Sequence, residues 1–518
     1  IMAPSKEAKT WEFGDFQTPA ELARQALSHL RKLDPDFRPR TIIEPTCGVG
    51  AFLLAAADIF PEAEKVVGLE IEPNYLANVR STVSDRSDSH RFDLREGDFF
   101  KTDWASLLGK LPEPILIVGN PPWVTSADIG RLKGSNLPEK SNFQKYTGFE
   151  AVTGKANFDI SEWMLIQNLK WISEHSGCLA MLCKTSVARK ILRHAWKDGV
   201  PTTGSRMVQI DAMEHFSAAV DACFFSVKTN GGKTTTDCAF FDSFDATEPS
   251  NTFGYHDGMM LSHVDQFYDH RELLGKDNHY TWRSGVKHDS SKVMELRKVD
   301  GELKNGYGQA VQLEKLYRFP LLKSSDLGNG RVKESRLETI VTQRKVGEAT
   351  DCIREQAPLT WAYLEQHGEA LDSRGSSIYR NKPRFSIFGV GAYTFTDWKV
   401  AISGFYKRLE FQVVGPIDGK PVVFDDTVYL LNAKTQEEAY FLADLLNSEP
   451  CQKFLESMVF WSEKRPITVD LLKRINLEKV ATQLGRQDEY ISFVELPALP
   501  LFAPSQDTTF SNATKIRA

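Results

Sequence analysis

The residues best suited to chemistry are Asn120-Pro121-Pro122-Trp123, directly after the apolar run Ile115-Leu116-Ile117-Val118-Gly119. Two consecutive prolines fix their own φ and push Asn120 and Pro121 toward extended backbone, so the acceptors there stand in a set place. The Asn120 side-chain oxygen and the Pro121 carbonyl can together accept both N–H bonds of a primary amine, leaving its lone pair free to meet an electrophile. Trp123 offers a flat face on which a planar base can stack, a contact worth roughly 1–3 kcal/mol per base. The element that must deliver this elbow is the preceding run, whose branched and long aliphatics suit a strand buried on both faces of a parallel sheet.

A second group lies upstream. Thr41-Ile42-Ile43-Glu44-Pro45-Thr46-Cys47-Gly48-Val49-Gly50-Ala51-Phe52-Leu53-Leu54 reads as a short strand, a glycine loop and a helix. Gly48 and Gly50 allow close backbone approach to a ligand at a helix N-terminus, a device that dinucleotide and phosphate sites also use. Glu44 makes the difference: at the strand end it repels a pyrophosphate but can accept from the ammonium of an amino-acid cofactor. The strand Val66–Leu69 ends in Glu70, where a ribose-binding carboxylate falls ~20 residues after the glycines. Its rival Glu72 precedes Pro73 and reads as a helix start. Asp98 can accept from an adenine amino group, and Phe99 can stack on the same ring. Thr18 reads as the N-cap of a helix with Pro19 at its first position.

The elbow resembles motif IV of the amino-methyltransferases, in which Asn/Asp/Ser-Pro-Pro-aromatic positions a nitrogen for attack on S-adenosylmethionine. The glycine loop with Cys47, Gly48 and Gly50 is similar to motif I of the γ-class DNA adenine-N6 methyltransferases, and Thr18-Pro19 to their motif X, which touches the methionine end of the cofactor. Asn157 to Ile172 and Cys178 to Cys183 resemble motifs V and VI, where an aromatic commonly faces the target base; the resemblance offers Phe158 or Trp163 for that role, with a core position as the alternative for either, above all for Trp163 on its helix. Phe216 to Ala222 looks like motif VIII. The resemblance implies a Rossmann-like, doubly wound α/β methyltransferase sheet with a terminal antiparallel hairpin closed by Cys238–Phe241. It also implies a C-terminal mixed α/β target-recognition domain. The expected reaction is methyl transfer from S-adenosylmethionine to the N6 amino group of an adenine flipped out of double-stranded DNA, since the base must leave the stack to be reached. Restriction-modification or phage defence is the role that the family implies, with a restriction endonuclease or other defence subunit as partner. An RNA or protein-glutamine N-methyltransferase with the same elbow, or a DNA-recognition subunit, is the alternative.

At 518 residues the chain suits two or three domains. The expected division is a catalytic domain over 1–245, a linker over 246–255, a DNA target-recognition domain over 256–487 and a polar tail over 488–518. Seven scattered cysteines without a Cys-x-x-Cys pair suggest neither a disulfide framework nor a zinc site, and no metal is expected. No apolar run reaches a membrane span, so a cytoplasmic, nucleoid-associated protein is expected. The short stretch ahead of the Thr-Pro turn gives the expectation of no N-terminal nuclease domain. Net charge is −6, yet residues 271–345 hold 16 Lys and Arg against 10 Asp and Glu, whereas residues 1–230 hold 27 against 29. Basic charge is thus displaced toward the C-terminal half, which suits a nucleic-acid partner. Candidate contacts there are Arg283 and Lys287 in Tyr280–Lys287, and Arg374, Arg380 and Arg384 in a basic stretch with interleaved aromatics. Lys133 belongs to a polar segment over 124–156 expected to clamp the substrate.

Overall fold

The computed structural model describes residues 17–123 and 160–496. The chain divides into two units, 1–265 and 266–518. In the first, strands β1 (Thr41–Glu44), β2 (Lys65–Glu70), β3 (Phe92–Glu96), β4 (Ile115–Gly119) and β5 (Gly177–Lys184) run parallel. They continue into β6 (Thr202–Ile210), β7 (Ala222–Thr229), β8 (Asp237–Phe241), β9 (Asn251–His256) and β10 (Met259–Leu261) to complete a ten-stranded sheet ordered β10-β9-β8-β6-β7-β5-β4-β1-β2-β3. Every residue of β4 is buried, as its unbroken apolar run requires for a central strand.

Alternate residues of the strands serve opposite faces. Ile42, Leu116, Val118, Ala180 and Leu182 share a core with helix α1 (Ala20–Leu33) and helix α2 (Ala51–Ile59). Helix α3 (Pro73–Ser84) follows β2, and the short α4 (Trp104–Leu108) precedes β4. Helices α5 (Ile160–Ser173) and α6 (Thr185–Lys197) flank β5, and α7 (Ala212–Phe216) bridges β6 to β7.

Three expectations are corrected here. Cys238–Phe241 does not close a hairpin with the strand before it, because both edges of β7 are already taken, antiparallel, by β5 and β6. It runs parallel on the far edge of β6, and the antiparallel hairpin is β6–β7. The expected linker over 246–255 is partly strand: β9 pairs antiparallel with β8 and buries Phe253, so the sheet runs on to Leu261. The expected tail begins instead with a helix, Gln487–Glu495, whose buried Tyr490 donates to Asp277 at 3.0 Å.

The second unit holds a five-stranded sheet, in the order Glu302–Asn305, Glu295–Val299, Leu337–Ile340, Arg318–Leu322 and Val423–Phe424, and a four-stranded antiparallel sheet, in the order Arg283–Ser284, Val428–Ala433, Trp398–Ser403 and Gln412–Val414. In the latter, Arg283–Ser284 pairs with Val428–Ala433, which pairs in turn with Trp398–Ser403. Two cores form, one around Val286, Leu296, Ile340 and Phe385, the other around Ala401, Val414 and Leu430 with Leu322 and Phe424 of the five-stranded sheet. Among the described residues, no helix is long and apolar enough to cross a membrane.

Candidate active site

The carboxyl ends of β1, β2 and β4 meet at one rim, where ligands of open parallel sheets bind. Glu44, 3% exposed, accepts from the Leu53 backbone N–H in the first turn of α2 at 2.8 Å. Burial pushes its carboxyl well above the ordinary range, and the neighbouring charge of Glu70 adds to the shift. Gly48 and Gly50 in the following loop have φ of 50° and 83°, the left-handed region that glycine enters without strain. Cys47 is buried with its sulfur toward Gly68 of β2, so its backbone rather than its thiol lines the loop. Burial, with the charges of Glu44 and Glu70, pushes that thiol far above its usual range.

Glu70 ties this loop to the next strand tip. One oxygen accepts from Gly48 N at 2.7 Å, and the other from Ile71 N and Glu72 N at 2.9 Å each. Glu72 caps α3, accepting from Asn74 N ahead of Pro73 at the first helical position. Asp98 accepts from Phe100 N at 2.8 Å and pairs with Lys101 at 3.3 Å.

Phe99 departs from its expected role. It is 5% exposed and packs among Phe100, Trp104, Trp163 and Trp171 with ring centroids 5.5–6.1 Å away. Withdrawing it to stack on a ligand would forfeit burial worth roughly 1.5–3 kcal/mol. Trp163 belongs to the same cluster, 5.1 Å from the half-buried Phe100. Phe158 and Lys133 lie outside the described residues.

The elbow stands beside the cofactor loop. A Cβ on Gly119 would sit 3.4 Å from Glu44 Cγ, so the chain leaves β4 against the buried carboxyl. Asn120 Nδ2 donates to Thr18 Oγ1 at 3.2 Å. Thr18 is therefore not a helix cap; Pro19 holds the N-cap position and no side chain caps α1. Pro121 is buried and Pro122 half-buried. Trp123, 7% exposed, does not present an open face: it meets Phe216 edge-on, with centroids 5.2 Å apart and planes at 65°. Phe216 was not among the expected site residues. Its signal was an aromatic opening the motif VIII segment, directly before Ser217 in left-handed backbone (φ 53°).

The candidate contacts of the second unit differ in availability. Arg374 is engaged within the fold: it lies 3.7 Å over the Tyr379 ring and donates to the carbonyls of Leu371, His288 and Ser386. Arg384 pairs with Asp372 at 3.1 Å and lies over Phe385. Lys287 sits 3.6 Å from Asp289, and exposed Arg283 covers Tyr393. Arg380 and Lys382 are exposed on either side of Asn381, whose φ of 59° turns the chain. Among the described residues no group of three or more His, Cys, Asp or Glu could hold a metal ion.

A parallel β1–β5 sheet, with β7 inserted antiparallel between β5 and β6 and a second reversed strand, β9, near the far edge, makes the first unit a Rossmann-like methyltransferase domain. The profile of the family described as N-6 DNA Methylase matches residues 2–188. Over 480 residues the chain is 45% identical to the Type II methyltransferase M.NspV of Nostoc sp. (strain ATCC 29411 / PCC 7524), covering 93% of this chain and 99% of that protein. A shorter match to the Type II methyltransferase M.XamI of Xanthomonas campestris pv. amaranthicola is 32% identical over 117 residues, 23% of this chain and 21% of that one. Among solved structures, the Type IIL restriction-modification enzyme MmeI in complex with DNA is similar with a TM-score of 0.48 at 12% identity, covering 89% of this chain and 64% of that chain. The chain belongs to the N-6 DNA methylase family.

Proposed function

We propose that this protein methylates the N6 amino group of adenine in double-stranded DNA, using S-adenosylmethionine, as the modification enzyme of a restriction-modification system. The observation that carries the reading is the elbow's place: the acceptors of Asn120 and Pro121 follow a glycine packed against the buried carboxyl of Glu44. A site for an amine nucleophile thereby adjoins a site for a cationic amino-acid cofactor. Three carboxylates and a glycine loop fit that cofactor: Glu44 suits its ammonium, Glu70 its ribose hydroxyls, and Asp98 its adenine amino group. When bound, S-adenosylmethionine supplies an electrophilic methyl group on a sulfonium.

Everything else belongs to the chain's own residues. Asn120 Oδ1 and the Pro121 carbonyl accept the two amine hydrogens and aim the nitrogen lone pair; the product loses its extra proton afterwards, so no strong base is needed. For Trp123 to stack on a base its ring must gain a clear face, since it is 7% exposed and Phe216 meets it edge-on. The deciding experiment is transfer from labelled S-adenosylmethionine to duplex DNA, with total RNA and release-factor protein as parallel acceptors, followed by nucleoside analysis. Label in N6-methyladenine is the expected result. Label confined to RNA or protein would overturn the DNA assignment.

The likeness to Type II methyltransferases supports a restriction endonuclease of matching specificity as the functional counterpart. Target reading is assigned to the second unit, with Arg380 and Lys382 as its phosphate contacts, since Arg374 and Arg384 are held by neighbours. Replacing both Arg380 and Lys382 by Ala is expected to weaken DNA binding and to flatten the plot of log affinity against log salt by about 0.9 per lost contact. Arg374→Ala instead lowers the melting temperature. An unchanged salt slope in the double variant would remove this loop from the DNA interface.

A further inference from the structure

The segment ahead of α1 touches both halves of the site. Gln17 Oε1 accepts from Val49 N in the glycine loop at 3.2 Å, and the next residue, Thr18, accepts from Asn120 Nδ2 at 3.2 Å. Pro19 then opens α1, whose Leu22, Ala23, Ala26 and Leu27 are fully buried, so Thr18 is pinned from both sides. A carboxamide carries one acceptor and one donor end. Rotated one way it receives the hydrogens of an amine; rotated the other way it opposes them. With Nδ2 turned to Thr18, the oxygen is the end turned away.

We propose that Thr18 is a positioning residue: its hydroxyl holds the Asn120 carboxamide in the rotation that offers Oδ1, not Nδ2, to the target amine. This rests on the amino-methyltransferase reading of the elbow and differs from a contact between Thr18 and the cofactor. A valine at position 18 keeps the shape and removes the anchor, so the carboxamide populates both rotations and only one is productive.

The test is steady-state methyl transfer to duplex DNA by wild type, Thr18→Val, Thr18→Ser, Asn120→Asp and the double variant Thr18→Val/Asn120→Asp. A carboxylate has acceptors at both ends, so its rotation does not matter. Thr18→Val is expected to lower kcat about tenfold, the worth of one hydrogen bond, with KM for S-adenosylmethionine little changed. Thr18→Ser restores the rate. In the Asn120→Asp background the same valine is expected to cost less than about twofold, since the two changes address one interaction. A raised cofactor KM with unchanged kcat would make Thr18 a cofactor contact, and an equal loss of kcat in both backgrounds would make its role structural; either overturns the proposal. Absence of transfer by the wild-type protein would instead overturn the reading of the elbow, and a normal wild-type rate keeps the two failures apart.

Discussion

Asn120→Ala is expected to lose methyl transfer by about 10²–10³-fold while binding S-adenosylmethionine as the wild type does, the range seen when one transition-state acceptor or donor is removed from a preorganised site. The separation follows from the layout. The carboxamide lies on the elbow after β4, whereas the cofactor loop is held by contacts that do not involve it, Glu44 to Leu53 N and Glu70 to Gly48 N. Asn120 is half-buried, so the cost to folding is on the order of 1 kcal/mol, one ordinary hydrogen bond. Asn120→Asp should retain more activity than alanine, because it keeps an acceptor for the amine in either rotation. Single-turnover transfer at saturating cofactor, paired with equilibrium binding of the cofactor, checks both halves. Full activity in the alanine variant would sink the assignment of the elbow, and loss of cofactor binding would move Asn120 to the other half of the site.

How far the sequence disclosed this arrangement depends on whether the deciding interaction is local. The run Ile115–Val118 and the loop Gly48–Gly50 carry their signals within a few residues, as unbroken apolar character and glycine punctuation, and both stand where expected. Strand β6 does not: Thr202-Thr203-Gly204-Ser205-Arg206 has almost no apolar alternation, and its ladder is irregular between Thr203 and Arg206. Only pairing with β7 and β8 makes it a strand, and that pairing also sends Cys238–Phe241 away from the expected hairpin. The burial of Phe99 is likewise set from a distance. Trp104 and Trp171 close over Phe99 from α4 and α5, which adjacency in sequence does not reveal. Thr18 and Asn120 are 102 residues apart, so a helix-cap reading was natural for a Thr-Pro pair. Basic charge was legible in Arg374, but not that its hydrogens go to three carbonyls of its own fold. Composition counts charges; only geometry says which remain available.

The same distinction sets the largest stability effect. Gly285→Ala is expected to destabilise the second unit by roughly 3 kcal/mol, the upper end for overpacking, because the opposing surface is backbone and cannot rotate aside. A Cβ there would stand 2.5 Å from the Phe424 carbonyl carbon and overlap the carbonyl oxygens of Phe424 and Asp425. On its other side Gly389, with φ of 67°, passes so closely that its own Cβ would collide with the Gly285 carbonyl. Two glycines thus let three chain segments cross at one point. The crossing lies between Arg283–Ser284, which pairs with Tyr429 and Leu430, and Val286–Lys287, where Val286 N donates to Phe424 O at 2.7 Å and Lys287 bridges Phe388. For a unit of this size that loss should lower the melting temperature by about 6–12 °C. Calorimetry with cofactor binding as control tests this: a fall in thermal stability with the cofactor site intact is the expected result. An alanine variant that melts with the wild type would mean the crossing segments relax at little cost. Gly285 would then owe its place to something other than this close approach.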